Sequence, residues 1–240
     1  MEYFSEKDFN CFHSSKSKNA LYNKKRLEIR RKLQALGKTI KPFLEDLDCC
    51  FDIKTSLHHP FLYNQYKVVS QWVYFVPSKK DLQPLKKIFG QDFFDELKSG
   101  YNHTVLLVGM DYDGLNVSLK THQKAWWDGK NIKNKCKKLQ FRQELRDLLQ
   151  ELPNFSLKIH DFKKIYHCEK MTSDELNMFL KYYSPGEHWL HLDYRISRED
   201  SCIEEQLLIE KLKQLLIAII PVYKFIKWSP NNNYVFKDKD

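Results

Sequence analysis

The sequence predicts an α+β fold: a mostly antiparallel sheet packed with helices at both chain ends. Three observations lead there. Asp113-Gly114 stands between two apolar runs, Thr104 to Asp111 and the alternating Leu115 to Thr121, the signature of a β-hairpin at about 104–121. Apolar residues recur at helical spacing on either side of it, at about 20–47 and 203–220. The 240 residues are 42% hydrophobic with only seven glycines and eight prolines, which suits a sizeable core rather than linkers.

In chain order, residues 1–19 read as irregular, with a polar Ser14-Ser15-Lys16-Ser17-Lys18 stretch. A single domain is expected over 20–228, followed by a polar, fraying tail at 229–240. The first helix runs from about Ala20 to Leu47. Leu33, Leu36, Ile40, Phe43, Leu44 and Leu47 form its buried face, and Pro42 is expected to bend or interrupt it. Strands follow near Cys50–Thr55 and Lys67–Val76, the second rich in Val, Trp, Tyr and Phe. Ser78 with Asp81 marks a helix start, and Gly90 and Gly100 mark the stops of two short helices.

Beyond the hairpin, one helix is expected from about Lys130 to Leu152, N-capped by Asp128. A strand near Phe155–Ile159 comes next. Thr172 and Glu175 form a capping box for a helix to about Tyr183, and His188–Arg195 reads as a strand. Ser201 and Glu204 form a second capping box, for an apolar helix ending at Pro221. That helix carries apolar residues around more than one stripe, which suits either the central helix of the domain or an oligomer contact at 203–220.

Charge is unevenly spread. Basic residues exceed acidic ones by 40 − 31 = 9 over the chain. From Lys120 to Arg146 there are nine basic and two acidic residues, a net of +7, leaving +2 for the rest. On one continuous helix Lys135, Lys138, Arg142 and Arg146 make a stripe about 16 Å long, with Lys130, Lys133 and Lys137 on a second face. Trp126 and Trp127 stand just before it. Such a stripe can follow phosphates, and an exposed indole can stack on a base. Lys24, Lys25, Arg26, Arg30, Arg31 and Lys32 offer a second basic surface. Two apolar sets on nearly opposite faces, Ile132, Cys136 and Leu139 against Phe141, Leu145, Leu148 and Leu152, demand either burial on two sides or a break near Leu139.

Motifs for enzyme chemistry are sparse. Phosphate-loop, dinucleotide and nucleophile-elbow patterns are missing. His122, Asp128 and Asn131 could line a polar pocket with His122 as a base oriented by Asp128. Asp52-Ile53-Lys54 fits the short half of a metal-dependent nuclease motif, but Asp46 and Asp48 lie too close to supply its partner strand, and Asp193-Tyr194-Arg195 has Arg in the lysine position. Six cysteines without a C-x-x-C pair, the His58-His59 pair and the His188/His191 spacing give no metal-ligand pattern, so neither metal nor cofactor is expected. The first twelve residues have no apolar leader segment, and the longest apolar run is too short to span a bilayer, so a cytoplasmic setting without membrane contact is expected.

The composite expectation is a sequence-tolerant nucleic-acid binder, not an enzyme, using Lys130, Lys133, Lys135, Lys138, Arg142 and Arg146 with Trp126 or Trp127. The same charges also suit docking of an acidic protein partner, and a hydrolase or degenerate nuclease stays open.

Overall fold

A computed structural model describes residues 3–90, 102–200, 203 and 205–236. The elements in chain order are α1 (Glu6–Asn10), α2 (Asn23–Glu45), β1 (Phe51–Thr55), β2 (Ser70–Pro77), α3 (Lys79–Phe89), β3 (Thr104–Asp111) and β4 (Gly114–Thr121). They continue with α4 (Trp126–Lys135), α5 (Leu139–Gln150), β5 (Ser156–Ile159), β6 (Tyr166–His167), α6 (Ser173–Tyr182), β7 (Leu190–Ser197) and α7 (Glu205–Ile226). Among the described residues the strands form a seven-stranded antiparallel sheet in the order β1-β2-β3-β4-β7-β5-β6, so the fold is α+β with helices at both ends. Contacts divide the chain into two compact units: Met1–Phe75, Leu107–Ser118 and Arg195–Ile217 form the first, and Val76–Leu106, Leu119–Tyr194 and Ala218–Asp240 the second.

In the first unit the N-terminal segment, expected to be irregular, is tied down. Phe4, Phe9, Cys11 and Phe12 are buried. Asp8 is fully buried with Lys25 Nζ at 2.5 Å and Lys32 Nζ at 3.0 Å. Burial pushes its carboxyl up, but Lys25, the Ser5 N–H and Lys32 outweigh that and hold it below the usual range. Arg26 is also fully buried and donates to the carbonyls of Lys16 (2.7 Å), Cys11 and Asn19 (3.3 Å each). Arg30 donates to Thr55 Oγ1 at 2.7 Å. Of the second basic surface expected from Lys24 to Lys32, Arg26 is internal and Lys25, Arg30 and Lys32 are half-buried with partners, while Lys24 and Arg31 stay exposed.

Helix α2 buries Ile29, Leu33, Leu36, Ile40 and Leu44, while Phe43, expected inside, is 40% exposed. Gly37 lets this helix approach the sheet: a Cβ there would stand 2.7 Å from Val73 Cγ2. The prolines inside α2 and α7, Pro42 and Pro221, each free the carbonyl four residues earlier. Those residues, Lys38 and Ile217, are exposed, and both helices continue through their prolines. Pro221 thus does not end α7, which runs on to Ile226. The Ser201/Glu204 capping box and the helix expected before Gly100 lie outside the described residues. The hairpin loop is Tyr112-Asp113, one residue earlier than expected, and Gly114 opens β4 with φ +148°. A Cβ at Gly114 would stand 2.1 Å from the Ile196 carbonyl oxygen, so the positive φ and the close strand approach both require the glycine.

The second unit is organised around α4. Trp127 is buried with Leu82, Leu85 and Trp228, and Trp126, Val235 and Phe236 pack against that cluster. Asp128, placed in the first turn of α4 rather than at its cap, is buried. Its carboxylate accepts from the Trp228 N–H at 2.7 Å and the Thr104 N–H at 2.8 Å. One turn on, Asn131 accepts from the Tyr234 N–H at 2.8 Å and donates to the Ile226 carbonyl at 3.3 Å, and Asn134 donates to the Tyr234 carbonyl at 2.9 Å. Residues up to Phe236, expected to fray, are held by this polar face of α4. The Thr172/Glu175 capping box forms as expected, with Glu175 N–H donating to Thr172 Oγ1 at 3.2 Å. Among the described residues no helix is long and apolar enough to cross a membrane.

Candidate nucleic-acid cleft and polar sheet face

The helix expected over 130–152 is two helices, broken at Cys136–Lys138, where Cys136 has ψ near 0° and Lys138 is extended. The break has a packing cause. It turns α5 so that Leu145 and Leu149 are buried while Ile132 and Cys136 stay buried on α4, reconciling apolar faces that one straight helix would point apart.

The break also dismantles the basic stripe. Lys135 is only 8% exposed, and its ammonium lies 3.7 Å from the Phe225 ring centroid and 5.2 Å from that of Phe141. Burial lowers its pKa. Lys133 donates to the Tyr183 carbonyl at 2.5 Å. Arg142 donates to Asn177 Oδ1 at 2.9 Å, and Arg146 is shared between Asp147 and Ser173 at 2.8 Å each, so both tie α5 to its surroundings. Trp127 is core. Of the expected contacts, Lys130 and Lys138 remain exposed and Trp126 half-buried.

Trp126 and Lys130 meet in one place. With Gln123, Lys124, Pro185 and Gly186 they line an open depression of about 380 Å³. The Lys130 ammonium sits 4.8 Å from the Trp126 ring centroid. Gly186, at φ +95°, and Pro185 form part of the lining, and Gly129 brings their loop close: a Cβ on Gly129 would stand 2.6 Å from Tyr183 Oη and 3.0 Å from Pro185 Cβ. Lys133 holds the same loop through Tyr183. Lys133 is thus a wall-building residue, a role its sequence neighbourhood does not signal.

Sequence reasoning missed a second constellation, on the polar face of the strands in this unit. Lys120 on β4 stands between Leu119 and Thr121, both fully buried, so its side chain leaves on the opposite face. His191 on β7 likewise alternates with buried Leu190 and Leu192. The register sets Lys158 opposite His191 and Ser156 opposite Asp193. Lys158 Nζ pairs with Asp193 Oδ2 at 2.8 Å. Burial lowers the Lys120 pKa, with Asp193 opposing. Burial first, then Lys120, pushes His191 down to about 4, so its ring is neutral near pH 7.

Three more histidines border this face. His122 accepts at Nδ1 from the Lys124 N–H (3.1 Å), His160 from the Trp189 N–H (3.0 Å) and His188 from the Ser184 N–H (3.0 Å). These backbone donors assign the neutral-ring proton to Nε2, so the outward nitrogens are donors rather than metal lone pairs. Among the described residues no group of three or more His, Cys, Asp or Glu is arranged to hold a metal ion. Burial, reinforced by Lys124 and His160, pushes His122 down to about 4. Its ring packs on Trp189 at 4.1 Å between centroids, and Asp128, engaged with two backbone N–H groups, does not orient it as the expected acid–base pair requires. The Asp52/Lys54 pair lies on β1 in the first unit, where Lys54 is half-buried with its pKa lowered by desolvation. The chain matches no family model and no curated protein in sequence.

Proposed function

We propose that this protein binds single-stranded nucleic acid with little sequence preference, through the Trp126 cleft rather than along a helical stripe. The observation that carries the proposal is the half-buried indole of Trp126 in an open depression, with the Lys130 ammonium 4.8 Å from its ring centroid and Lys124 in the same lining. An unpaired base offers a π-face to the indole, and the flanking phosphates offer acceptors to two flexible ammonium groups. A duplex, whose bases are already stacked, cannot use the ring in this way. Lys137 and Lys138, both exposed after α4, extend the positive field of the 120–146 segment. In the first unit, Phe61 and Tyr63 are exposed with ring centroids 5.7 Å apart, and exposed Arg31 and Lys67 belong to the same unit, a second set of groups suited to stacking and phosphate contact.

The test is an anisotropy titration with a labelled ~15-nucleotide single strand against the matching duplex, since such sites span about 4–16 nucleotides. Tighter binding of the single strand, weakened at least tenfold by Trp126→Ala combined with Lys130→Ala, is expected. Equal affinity of that double variant and the unmodified chain would overturn the proposal.

A further inference from the structure

We propose that the sheet face between Lys120 on β4 and His191 on β7 is a binding site for a small oxyanion, a phosphate or a carboxylate. The site is independent of the Trp126 cleft and rests on other groups. Asp193, the nearest carboxylate, already holds Lys158 at 2.8 Å. Among the described residues no carboxylate lies within ion-pair distance of Lys120, a part-buried lysine. His191 Nε2 is buried and has no hydrogen-bond partner. A sheltered lysine that shares Asp193 with Lys158, and a buried ring nitrogen without a partner, are both costly, and proteins ordinarily pair such groups.

One ligand chemistry satisfies both. An oxyanion oxygen accepts from the Lys120 ammonium and, through a second lone pair or second oxygen, from His191 with its proton on Nε2. Charge agrees: Lys120 and Lys158 against Asp193 give 2 − 1 = +1 on this face with His191 neutral. A metal cation would meet two lysines, and an apolar ligand would leave both polar groups unsatisfied. The groups facing His191 are Lys120 on β4, Lys158 on β5, Asp193 on its own strand and His160 just after β5, with the Trp189 ring lying parallel to it at 6.0 Å. Binding an anion there raises the His191 pKa, so affinity rises as pH falls toward the unliganded value of about 4.

The experiment is thermal denaturation of the full chain titrated with sodium phosphate, sodium acetate or sodium chloride at matched ionic strength. The unmodified protein, Lys120→Met, Lys120→Arg, His191→Phe and Trp126→Ala are compared. The expected result is a saturable rise in Tm with phosphate, acetate or both beyond that with chloride. Lys120→Met requires at least tenfold more ligand for the same rise, Lys120→Arg keeps the response, and Trp126→Ala leaves it unchanged. A response to phosphate alone identifies a phosphate ligand, and an equal response to acetate identifies a carboxylate site. His191→Phe keeps a ring beside Trp189 but loses the donor, so its response is weaker and no longer steepens at lower pH. Should Lys120→Met fold poorly, the His191→Phe comparison decides in its place. No shift beyond chloride up to roughly 50 mM of either oxyanion, or an undiminished response in the variants, overturns the site.

Discussion

Replacing Asp128 tests the organisation of the second unit. Its two carboxylate oxygens each accept one backbone N–H, from Trp228 at 2.7 Å and from Thr104 at 2.8 Å, in a buried setting. Asp128→Ala leaves both donors without acceptors, and each such loss costs about 1–3 kcal/mol. Part of that is returned, because the carboxylate itself is held there against desolvation, which raises its pKa. The net expected loss is about 3 kcal/mol, a large share of the roughly 5–15 kcal/mol that holds a typical domain together. Asp128→Asn keeps one acceptor and turns an NH₂ toward the other N–H, so it should fall between the two. The assay is urea unfolding followed by tryptophan fluorescence. Four of the five tryptophans, Trp126, Trp127, Trp189 and Trp228, belong to the second unit, so the signal reports on it. With a slope of about 2–3 kcal/mol per molar, Asp128→Ala should lower the midpoint by about 1–1.5 M. The raised folded-state pKa adds a sign test: the proton-linked part of the Asp128 contribution is fully present below the unfolded carboxylate pKa and is lost as pH rises through the folded one, while the two N–H contacts persist, and Asp128→Ala removes that pH dependence. A midpoint shift below about 0.3 M, or a larger loss for Asn than for Ala, would refute this role.

Other substitutions probe the remaining links. Gly129→Ala places a Cβ 2.6 Å from Tyr183 Oη, so an overpacking loss of about 1–3 kcal/mol and a displaced cleft wall are expected, measured by Tm and by oligonucleotide affinity together. Asp8 has its pKa lowered in the fold, so its stabilisation is present above the unfolded carboxylate pKa and lost as pH falls through the folded value. An acid titration of Asp8→Asn should therefore show a shallower loss of stability below pH about 4 than the unmodified chain. Lys135→Met fills the same space among Phe225, Phe141 and Tyr234 without a charge, so it should leave nucleic-acid affinity within about twofold while Lys130→Ala weakens it.

Much of the fold was legible in local chemistry. The hairpin followed from alternation around Asp113-Gly114, and the Thr172/Glu175 box and the Ser78 cap are self-contained motifs that form where their spacing predicts. The site was less legible because its determinants are non-local. Lys135 looks like a surface lysine until Phe225 and Tyr234, about ninety to a hundred positions later, close over it. Asp128, next to Trp127, resembles an N-cap, but its partners are Thr104 and Trp228. The polar alternation of Asn116, Ser118 and Lys120 is readable in the sequence, as is that of His191 and Asp193. Only the neighbouring placement of β4 and β7 joins Lys120 to His191, and no local pattern encodes that pairing.

The most direct measurement is the affinity of a labelled single-stranded oligonucleotide at about 50 and 200 mM salt, for the unmodified chain, Lys135→Met and Trp126→Ala/Lys130→Ala. If the Trp126 cleft is the binding surface, the unmodified chain and Lys135→Met bind alike, both weaken steeply with salt, and the double variant loses at least tenfold. An undiminished double variant, or a loss of binding on Lys135→Met alone, would contradict it and return the binding surface to the basic helix.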